Sequence, residues 1–259
     1  MTVKPPLLKW AGGKRWLVPH LQRIWAEHKH RRLVEPLCGA LAVTFGLRPQ
    51  VALLNDINPH CINFFKWLKK GFKIDFPMLN DSELYYSHRV RFNELIVGKR
   101  MKTREAAGLF YYLNRTGYNG LCRFNKKGAF NVPFGKYKII NYIRDFNPYK
   151  RLLSKWLLSN IDFEDLKLHK EDFIYADPPY DAEFTQYSKE GFFWEDQIRL
   201  VKWLSKHPGP VVLSNQATDR IIKLYREFGF TLRYLDGPRR ISCTGDRSPA
   251  KEVLALKGL

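Results

Sequence analysis

One tetrapeptide, Asp177-Pro178-Pro179-Tyr180, combines residue types that could hold a nitrogen base. The two prolines fix the backbone φ angle and carry no N–H, which makes the turn rigid and leaves carbonyl groups free. The Asp177 carboxylate and the Pro178 carbonyl could both accept hydrogen bonds from one amino group, and Tyr180 offers a ring for stacking. The pattern therefore predicts a site for the exocyclic amino group of a nucleic-acid base. The alternative is a purely structural Pro-Pro turn.

A second pair of residues could bind a nucleotide-like cofactor. Gly39 follows a short apolar run at 33–35, and a glycine there lets the backbone approach a ligand closely. Asp56 comes 17 residues later, after a second apolar run at 51–55. An acid at that place can accept both hydroxyls of a ribose. The alternative for Asp56 is an N-cap, since a helix is predicted directly after it.

The positive charge is concentrated in one stretch of the chain. The 259 residues carry a formal net charge of +19. Between Lys99 and Lys155 there are 14 basic and two acidic residues, so this stretch holds +12 of that charge. Many tyrosines and phenylalanines lie among them. Basic residues mixed with aromatic ones favour contact with phosphates and stacking on bases. The alternative is a solvated basic face above an aromatic core.

The framework that must position these residues is predicted to be an α/β sheet with an insert. Apolar runs bounded by turn residues predict strands at 33–35, 51–55, 174–176, 211–214, 231–235 and 253–257, the last two as an antiparallel pair. Amphipathic patterns predict helices at 58–70, 81–97, 103–113, 195–207 and 218–228. Residues 117–134 read as a β-hairpin or an ordered loop. We therefore expect a catalytic domain of residues 1–57 and 151–259, and an inserted, mostly helical domain of residues 58–150.

Composition excludes several classes of protein. The hydrophobic fraction of 45% suffices for a packed core. No stretch approaches ~18 uncharged apolar residues, so we expect no membrane span, and the first residues lack the apolar core of a signal peptide. The four cysteines are scattered, with no CxxC pair, so we expect reduced thiols and no metal site. These features are typical of a cytoplasmic protein.

A series of motifs extends over nearly the whole chain: Leu8-Lys9-Trp10-Ala11-Gly12-Gly13-Lys14, Val34-Glu35-Pro36-Leu37-Cys38-Gly39, Leu54-Asn55-Asp56, the segment 112–137 around Asn114-Arg115-Thr116-Gly117-Tyr118-Asn119-Gly120, the tetrapeptide at 177–180, Leu213-Ser214-Asn215 and Arg239-Arg240-Ile241-Ser242. Together they resemble the Dam family of DNA adenine-N6 methyltransferases. The resemblance implies a Rossmann-like methyltransferase sheet whose insert recognises DNA.

The resemblance also implies a cofactor, S-adenosylmethionine. The residues expected to bind it are Trp10, Lys14, Glu35, Gly39, Asp56, Asp162, Phe163 and Asp177. Trp10 would form an apolar wall, and Lys14 would place a charge near the methionine carboxylate or a DNA phosphate. The loop departs from the family's usual Phe-x-Gly-x-Gly, because Leu37 replaces the phenylalanine and Leu41 replaces the second glycine.

The implied reaction is methyl transfer to N6 of an adenine flipped out of double-stranded DNA, most simply within GATC. The implied catalytic residues are Asp177, Pro178, Pro179 and Tyr180. The residues expected to contact DNA are Lys9, Arg115, Tyr118, Asn119, Leu121, Arg123, Pro133 and Tyr137. Tyr118 is the candidate for insertion into the gap left by the flipped base. Arg123 is expected to read a guanine edge, with a phosphate clamp as the alternative.

Two other functions stay open at this point. One is cytosine-N4 methylation, which uses similar chemistry, and the other is a catalytically silent DNA-binding homologue. We expect a monomer, with two copies able to act on a palindromic site. The sequence leaves open a solitary methylase and one paired with a restriction nuclease, and a location at a prokaryotic nucleoid or on a phage genome would fit.

Overall fold

The computed structural model describes residues 6–181, 191–237 and 250–259. A seven-stranded sheet has the order β3-β2-β1-β4-β5-β7-β6. Its strands are β1 (Leu33–Glu35), β2 (Ala52–Asn55), β3 (Trp156–Ser159), β4 (Phe173–Ala176), β5 (Val211–Gln216), β6 (Thr231–Gly237) and β7 (Ala250–Lys257). Strands β1 to β5 are parallel, and β7 lies antiparallel between β5 and β6. All six predicted strands are present, and the antiparallel pair is confirmed.

The central strands are apolar on both faces because helices cover both sides of the sheet. In β1, Leu33 belongs to one core cluster and Val34 to the other. In β4, Tyr175 and Ile174 divide in the same way. This alternation follows from the two-residue period of a strand, and two-sided burial is typical of parallel sheets. The strands therefore form a rigid layer whose carboxyl ends can hold a site.

Eight α-helices occur in the described residues. They are α1 (Val18–Trp25), α2 (Ala42–Leu47), α3 (Pro59–Lys70), α4 (Ser82–Val97), α5 (Arg104–Thr116), α6 (Asn147–Leu153), α7 (Trp194–Ser205) and α8 (Asp219–Glu227). The five predicted helices are confirmed within a few residues. Side chains of Asn58, Asp81, Thr103 and Thr218 cap α3, α4, α5 and α8 by accepting backbone N–H groups of the first turn.

The chain between β2 and β3 contains α3 to α6 and the basic stretch. Its aromatic side chains, including Tyr85, Phe92 and Phe110, join the same apolar cluster that covers one face of the sheet. Residues 117–134 fold back as an antiparallel loop held by two isolated bridges, Gly117 with Phe134 and Phe124 with Phe130. The predicted hairpin is thus a bridged loop instead of two continuous strands. The predicted domain boundaries stay a prediction.

Candidate active site

The predicted chemical groups gather at the carboxyl ends of four parallel strands. Gly39 follows β1, Asp56 follows β2, Asp162 follows β3 and Asp177 follows β4. Strands β2 and β3 lie on one side of β1, whereas β4 and β5 lie on its other side. The strand order therefore reverses between β1 and β4. Open α/β sheets bind ligands in the crevice outside such a switch point. The fold therefore brings the predicted cofactor and catalytic residues to one edge.

Asp56 braces the loop that follows β1. One carboxylate oxygen accepts the Gly39 N–H at 2.8 Å, and the other accepts the Asn58 N–H at 2.9 Å. Burial raises the pKa of Asp56, while these two hydrogen bonds act in the opposite direction. The N-cap of α3 is Asn58, which accepts from the N–H groups of His60 and Cys61, so the N-cap alternative for Asp56 was wrong. Its predicted ribose contact stays a prediction.

The Gly39 loop is packed so closely that a side chain would not fit. The backbone of Gly39 is left-handed, with φ of 46°, and an added Cβ would lie 2.7 Å from Trp10 Nε1. The Trp10 indole therefore lies against the loop. Leu41 is also left-handed, with φ of 58°, although it carries a buried side chain. The loop thus keeps at Leu41 a left-handed backbone of the kind that glycine adopts. This conformation costs a residue that carries a Cβ ~1–2 kcal/mol.

Glu35, the last residue of β1, is buried and accepts a hydrogen bond from the Thr44 hydroxyl on α2. Burial raises its pKa to about 8, although the hydrogen bond from Thr44 acts in the opposite direction. The nearby Asp177 carboxylate raises the pKa further. Glu35 is therefore an acid that links the end of β1 to the helix behind the loop.

At the end of β3, Asp162 and Phe163 are held by α7. One oxygen of Asp162 accepts the Glu164 N–H at 3.0 Å and an N–H of Arg199 at 2.7 Å. Burial would raise the pKa of Asp162, but these hydrogen bonds lower it overall. The Arg199 guanidinium lies 4.7 Å from the centre of the buried Phe163 ring. The segment predicted to hold the cofactor adenine is therefore fixed from outside the crevice.

The tetrapeptide at 177–180, which we call the catalytic corner, lies against a buried cation. Lys14 Nζ is 2.8 Å from Asp177 Oδ1 and 3.2 Å from Glu252 Oε1, and it donates to the Tyr180 hydroxyl at 3.1 Å. The Tyr180 hydroxyl donates to Glu252 Oε2 at 2.5 Å. Asp177 Oδ1 also accepts from the Ser214 hydroxyl at 2.8 Å. Asp177 Oδ2 accepts no hydrogen bond from the described residues.

Strand β5 and helix α7 support the corner from behind. Gln197 of α7 donates to the Pro179 carbonyl at 2.8 Å, and its own side-chain oxygen accepts from Asn215 at 3.2 Å. Asn215 also donates to the buried Tyr225 hydroxyl at 3.2 Å. The Pro179 carbonyl is therefore occupied. The Pro178 carbonyl, in contrast, accepts no hydrogen bond from the described residues.

The charges of the corner are strongly coupled. Burial alone would lower the pKa of Lys14, but the Asp177 and Glu252 carboxylates outweigh it and raise that pKa. Burial raises the pKa of both carboxyl groups, and Lys14 opposes that shift in each. One ammonium therefore neutralises only one of two carboxylates. The Lys14 ammonium has contacts with four oxygen atoms, the fourth being the Gly12 carbonyl at 3.3 Å, so its predicted contact with a cofactor carboxylate stays a prediction.

The predicted recognition residues surround the N-terminal segment. The Asn114 side chain accepts the Lys9 N–H and donates to the Lys9 carbonyl, both at 2.8 Å. Lys9 Nζ donates to the Arg115 carbonyl at 2.9 Å and lies 3.5 Å from the centre of the Tyr137 ring. Burial and the Arg115 charge lower the pKa of Lys9 to about 8. The Tyr137 hydroxyl donates to the Gly117 carbonyl at 3.2 Å, which ties this cluster to the loop.

The other predicted DNA contacts lie along the bridged loop. Tyr118 is 50% exposed, and Asn119 is exposed with a left-handed backbone. Leu121 is half-buried, whereas Pro133 is exposed. The exposed Arg123 donates to the Asn131 side chain at 2.8 Å. Arg123 is therefore held in place on the surface, and its predicted contact with a base stays a prediction.

Some residues that support the site were not predicted as site residues, namely Glu252, Gln197, Asn114 and Ser214. Glu252 had a visible signal, because it is a lone acid next to the apolar run Val253-Leu254-Ala255-Leu256. Asn114 and Ser214 lie in motifs that carried the family resemblance, without an assigned role. Residues 239–242 lie outside the described part of the chain.

The reversed strand order, with the acid-proline corner at its switch point, is that of a Rossmann-like α/β sheet. The chain belongs to the D12 class of N6 adenine-specific DNA methyltransferases, because the model of that family matches residues 10–236.

Curated relatives agree with this family. A DNA adenine methylase of Vibrio cholerae is 36% identical over 99% of this chain and 97% of its own length. The retron Ec67 DNA adenine methylase of Escherichia coli is 34% identical, covering 97% of this chain and 91% of its own. The type II methyltransferase M1.LlaDCHI of Lactococcus lactis is 37% identical over 86% and 85%.

Family membership confirms the expected enzyme class. DNA is the substrate, adenine is the base, and S-adenosylmethionine is the cofactor that the family implies. The alternative of cytosine-N4 methylation is not supported. None of the helices in the described residues combines the length and apolar character needed to cross a bilayer. Within the same residues, no group of three or more His, Cys, Asp or Glu side chains is arranged to hold a metal ion.

Proposed function

We propose that this protein transfers a methyl group from S-adenosylmethionine to N6 of an adenine that is flipped out of double-stranded DNA, within GATC. The observation that carries the proposal is the catalytic corner at the switch point. There, one oxygen of Asp177 is occupied by Lys14 and Ser214, while Oδ2 and the Pro178 carbonyl have no partner among the described residues. Two acceptors fixed in one rigid turn suit the two hydrogens of one amino group.

The crevice beside the corner fits the cofactor. The Trp10 indole packs on Gly39 where a Cβ would lie, so the indole and the loop backbone together form one wall, and Asp56 and Asp162 follow the neighbouring strands. When bound, S-adenosylmethionine supplies a methyl group made electrophilic by its sulfonium. Asp56 would accept ribose hydroxyls, Asp162 and Phe163 would hold the adenine ring, and Glu35 would support the loop from behind.

The corner acts by orientation. Asp177 and the Pro178 carbonyl accept the two N6 hydrogens, which favours a pyramidal nitrogen with its lone pair directed at the methyl group. Pro179 keeps the turn rigid, and the Tyr180 ring stacks on the flipped base. Lys14 opposes the rise that burial imposes on the pKa of Asp177. The product nitrogen then releases its extra proton to water near Asp177.

Base reading belongs to the bridged loop and the N-terminal segment. We assign Arg123 to a guanine edge, Leu121 and Pro133 to thymine methyl groups, and Lys9 to the first bases of the site. Tyr118, which is half exposed, fills the gap left by the flipped adenine. Asn119, Tyr137 and Arg115 complete the contact surface. The protein binds as a monomer, and two copies act in turn on the two strands of the palindrome. This activity would place the protein in the cytoplasm, at a nucleoid or a phage genome.

Methylation-sensitive sequencing of DNA from cells that express the chain tests the base, the position and the recognition sequence together. The expected result is N6-methyladenine at GATC on both strands. Methylated adenine at another sequence would overturn the GATC assignment alone. Unmodified DNA, together with DNA binding but no S-adenosylmethionine binding by calorimetry, would favour the catalytically silent homologue.

A further inference from the structure

Glu252 lies where an acid is costly. It belongs to β7 and pairs with Gln216 of β5 and Leu235 of β6, and it is buried among apolar strand residues. Its Oε2 accepts the Tyr180 hydroxyl at 2.5 Å, and its Oε1 contacts Lys14 at 3.2 Å. A buried carboxylate is tolerated only where such partners compensate its lost hydration. The side chain is therefore held on the corner.

Lys14 and Glu252 close a ring of contacts with the corner. Lys14 contacts both Asp177 and Tyr180, the first and last residues of the tetrapeptide. Glu252 contacts Lys14 and Tyr180. The Lys14 ammonium is also 4.5 Å from the centre of the Tyr180 ring. Thus three charged groups and one hydroxyl, contributed by segments far apart in the chain, fix both ends of the turn.

We propose that Glu252 is a positioning residue for methyl transfer, which acts through Lys14 and the Tyr180 hydroxyl to set the direction of the Asp177 carboxylate and the plane of the Tyr180 ring. This inference rests on the proposed function, because it concerns the same corner. Glu252 touches neither the flipped base nor the cofactor in this role. It shares the Lys14 charge with Asp177, so the ionisation of Asp177 depends on it.

The test compares the wild-type protein with Glu252→Gln and Tyr180→Phe, using single-turnover and steady-state methylation of a GATC duplex. Glu252→Gln keeps the shape of the side chain and removes its charge. It should lower kcat by about 10- to 100-fold and leave the KM for DNA and for S-adenosylmethionine within about threefold, because charged hydrogen bonds are lost without a lost ligand contact.

The pH profile separates positioning from simple structural support. Among the described residues, the charged and titratable groups around Asp177 are Lys14, Glu35, Tyr175, Tyr180, Tyr225 and Glu252. Without the Glu252 charge, the Lys14 ammonium pairs with Asp177 alone. This change lowers the pKa of Asp177 and favours its ionised form. The acid limb of the kcat profile should therefore move to lower pH in Glu252→Gln. A residue that only stabilised the fold would lower the melting temperature and leave that limb in place.

Tyr180→Phe removes the hydroxyl and keeps the ring. It should lower kcat several-fold, and adding Glu252→Gln to it should cost less than Glu252→Gln alone costs in the wild type. Fully additive losses would overturn action through the hydroxyl. Should Glu252→Gln fail to fold, an unchanged kcat in Tyr180→Phe overturns the proposal, and a lowered kcat supports it.

The activity of the wild-type protein distinguishes failure of the proposed function from failure of the role proposed for Glu252. A wild-type protein that methylates no adenine refutes the proposed function. An active wild type together with a Glu252→Gln variant of equal kcat and equal pH profile refutes only the role of Glu252.

Discussion

Replacing Lys14 by methionine should destabilise the protein in a pH-dependent way. Lys14 is buried, with Asp177 at 2.8 Å and Glu252 at 3.2 Å, and the side chains of Lys14 and Glu252 are each only 2% exposed. Removing one partner of a buried ion pair leaves an uncompensated charge, which costs ~3–5 kcal/mol. Here two carboxylates lose the cation that they share among the described residues, so we expect the loss at neutral pH to reach that range.

The sign of the pH dependence follows from the pKa shifts. Burial already raises the pKa of Asp177 and Glu252 above their unfolded values, and losing Lys14 raises both further. Groups with a raised folded pKa lose stability as the pH rises through that pKa. The difference between Lys14→Met and wild type should therefore be small near pH 5, where both acids take up protons more easily, and largest near pH 8.

Urea unfolding measures this difference directly. With a slope of ~3 kcal/mol per molar urea, the unfolding midpoint should fall by ~1–1.7 M at pH 8. Lys223→Met is a matched control, because Lys223 is 79% exposed and lies 4.0 Å from Glu227, and it should change stability by under ~0.5 kcal/mol. A loss below ~1 kcal/mol at pH 8 in Lys14→Met, or a loss of equal size at pH 5, would refute the ion-pair reasoning.

Four further changes probe other parts of the molecule. Asp177→Ala should lower methyl transfer at least about 1000-fold while duplex binding in a mobility-shift assay stays within a few-fold, and wild-type turnover would remove Asp177 from the mechanism. Arg123→Ala should cost ~1–3 kcal/mol of discrimination at one base pair, measured with singly substituted duplexes; an equal loss on all duplexes would indicate a phosphate clamp. Gly39→Ala should weaken S-adenosylmethionine binding at least about tenfold by calorimetry, since its Cβ would lie 2.7 Å from Trp10 Nε1. Leu41→Gly should relieve ~1 kcal/mol of backbone strain yet lose ~2–5 kcal/mol of buried contacts, so a variant more stable than wild type in urea would show that strain dominates.

The sheet could be predicted from the sequence because its strands are apolar runs that end at turn residues. The run at 51–55 and the pair at 231–235 and 253–257 became β2, β6 and β7 with small changes of boundary. Helix α2 was not predicted, since six largely buried residues give no amphipathic pattern to read. Helices α1 and α6 have only eight and seven residues, so each offers about two turns of periodic pattern from which to predict a helix.

The chemical groups of the corner could be predicted from the sequence, but the side chains that hold the corner in place could not. Asp177 and Tyr180 are close enough in the sequence to form a motif, whereas Lys14 lies 166 residues before Tyr180 and Glu252 lies 72 residues after it. These residues come into contact only in the folded chain, and no short sequence pattern predicts the contact. The strand predicted at 253–257 begins one residue after Glu252, so the inward-facing acid lay just outside the recognised pattern. In the bridged loop, glycine and asparagine with left-handed backbones replaced the regular ladder of a hairpin.

The N-terminal segment is anchored at both ends. Asn114 holds the backbone of Lys9 by two hydrogen bonds, and five residues further on Lys14 reaches the Asp177 carboxylate. The residues between these two anchors fold as a turn, in which the Gly13 N–H donates to the Trp10 carbonyl at 3.3 Å and Gly12 has a left-handed backbone. A movement of the loop around Asn114 that keeps both anchors must therefore be taken up within this turn, which joins the Lys9 backbone to the buried Lys14 ammonium.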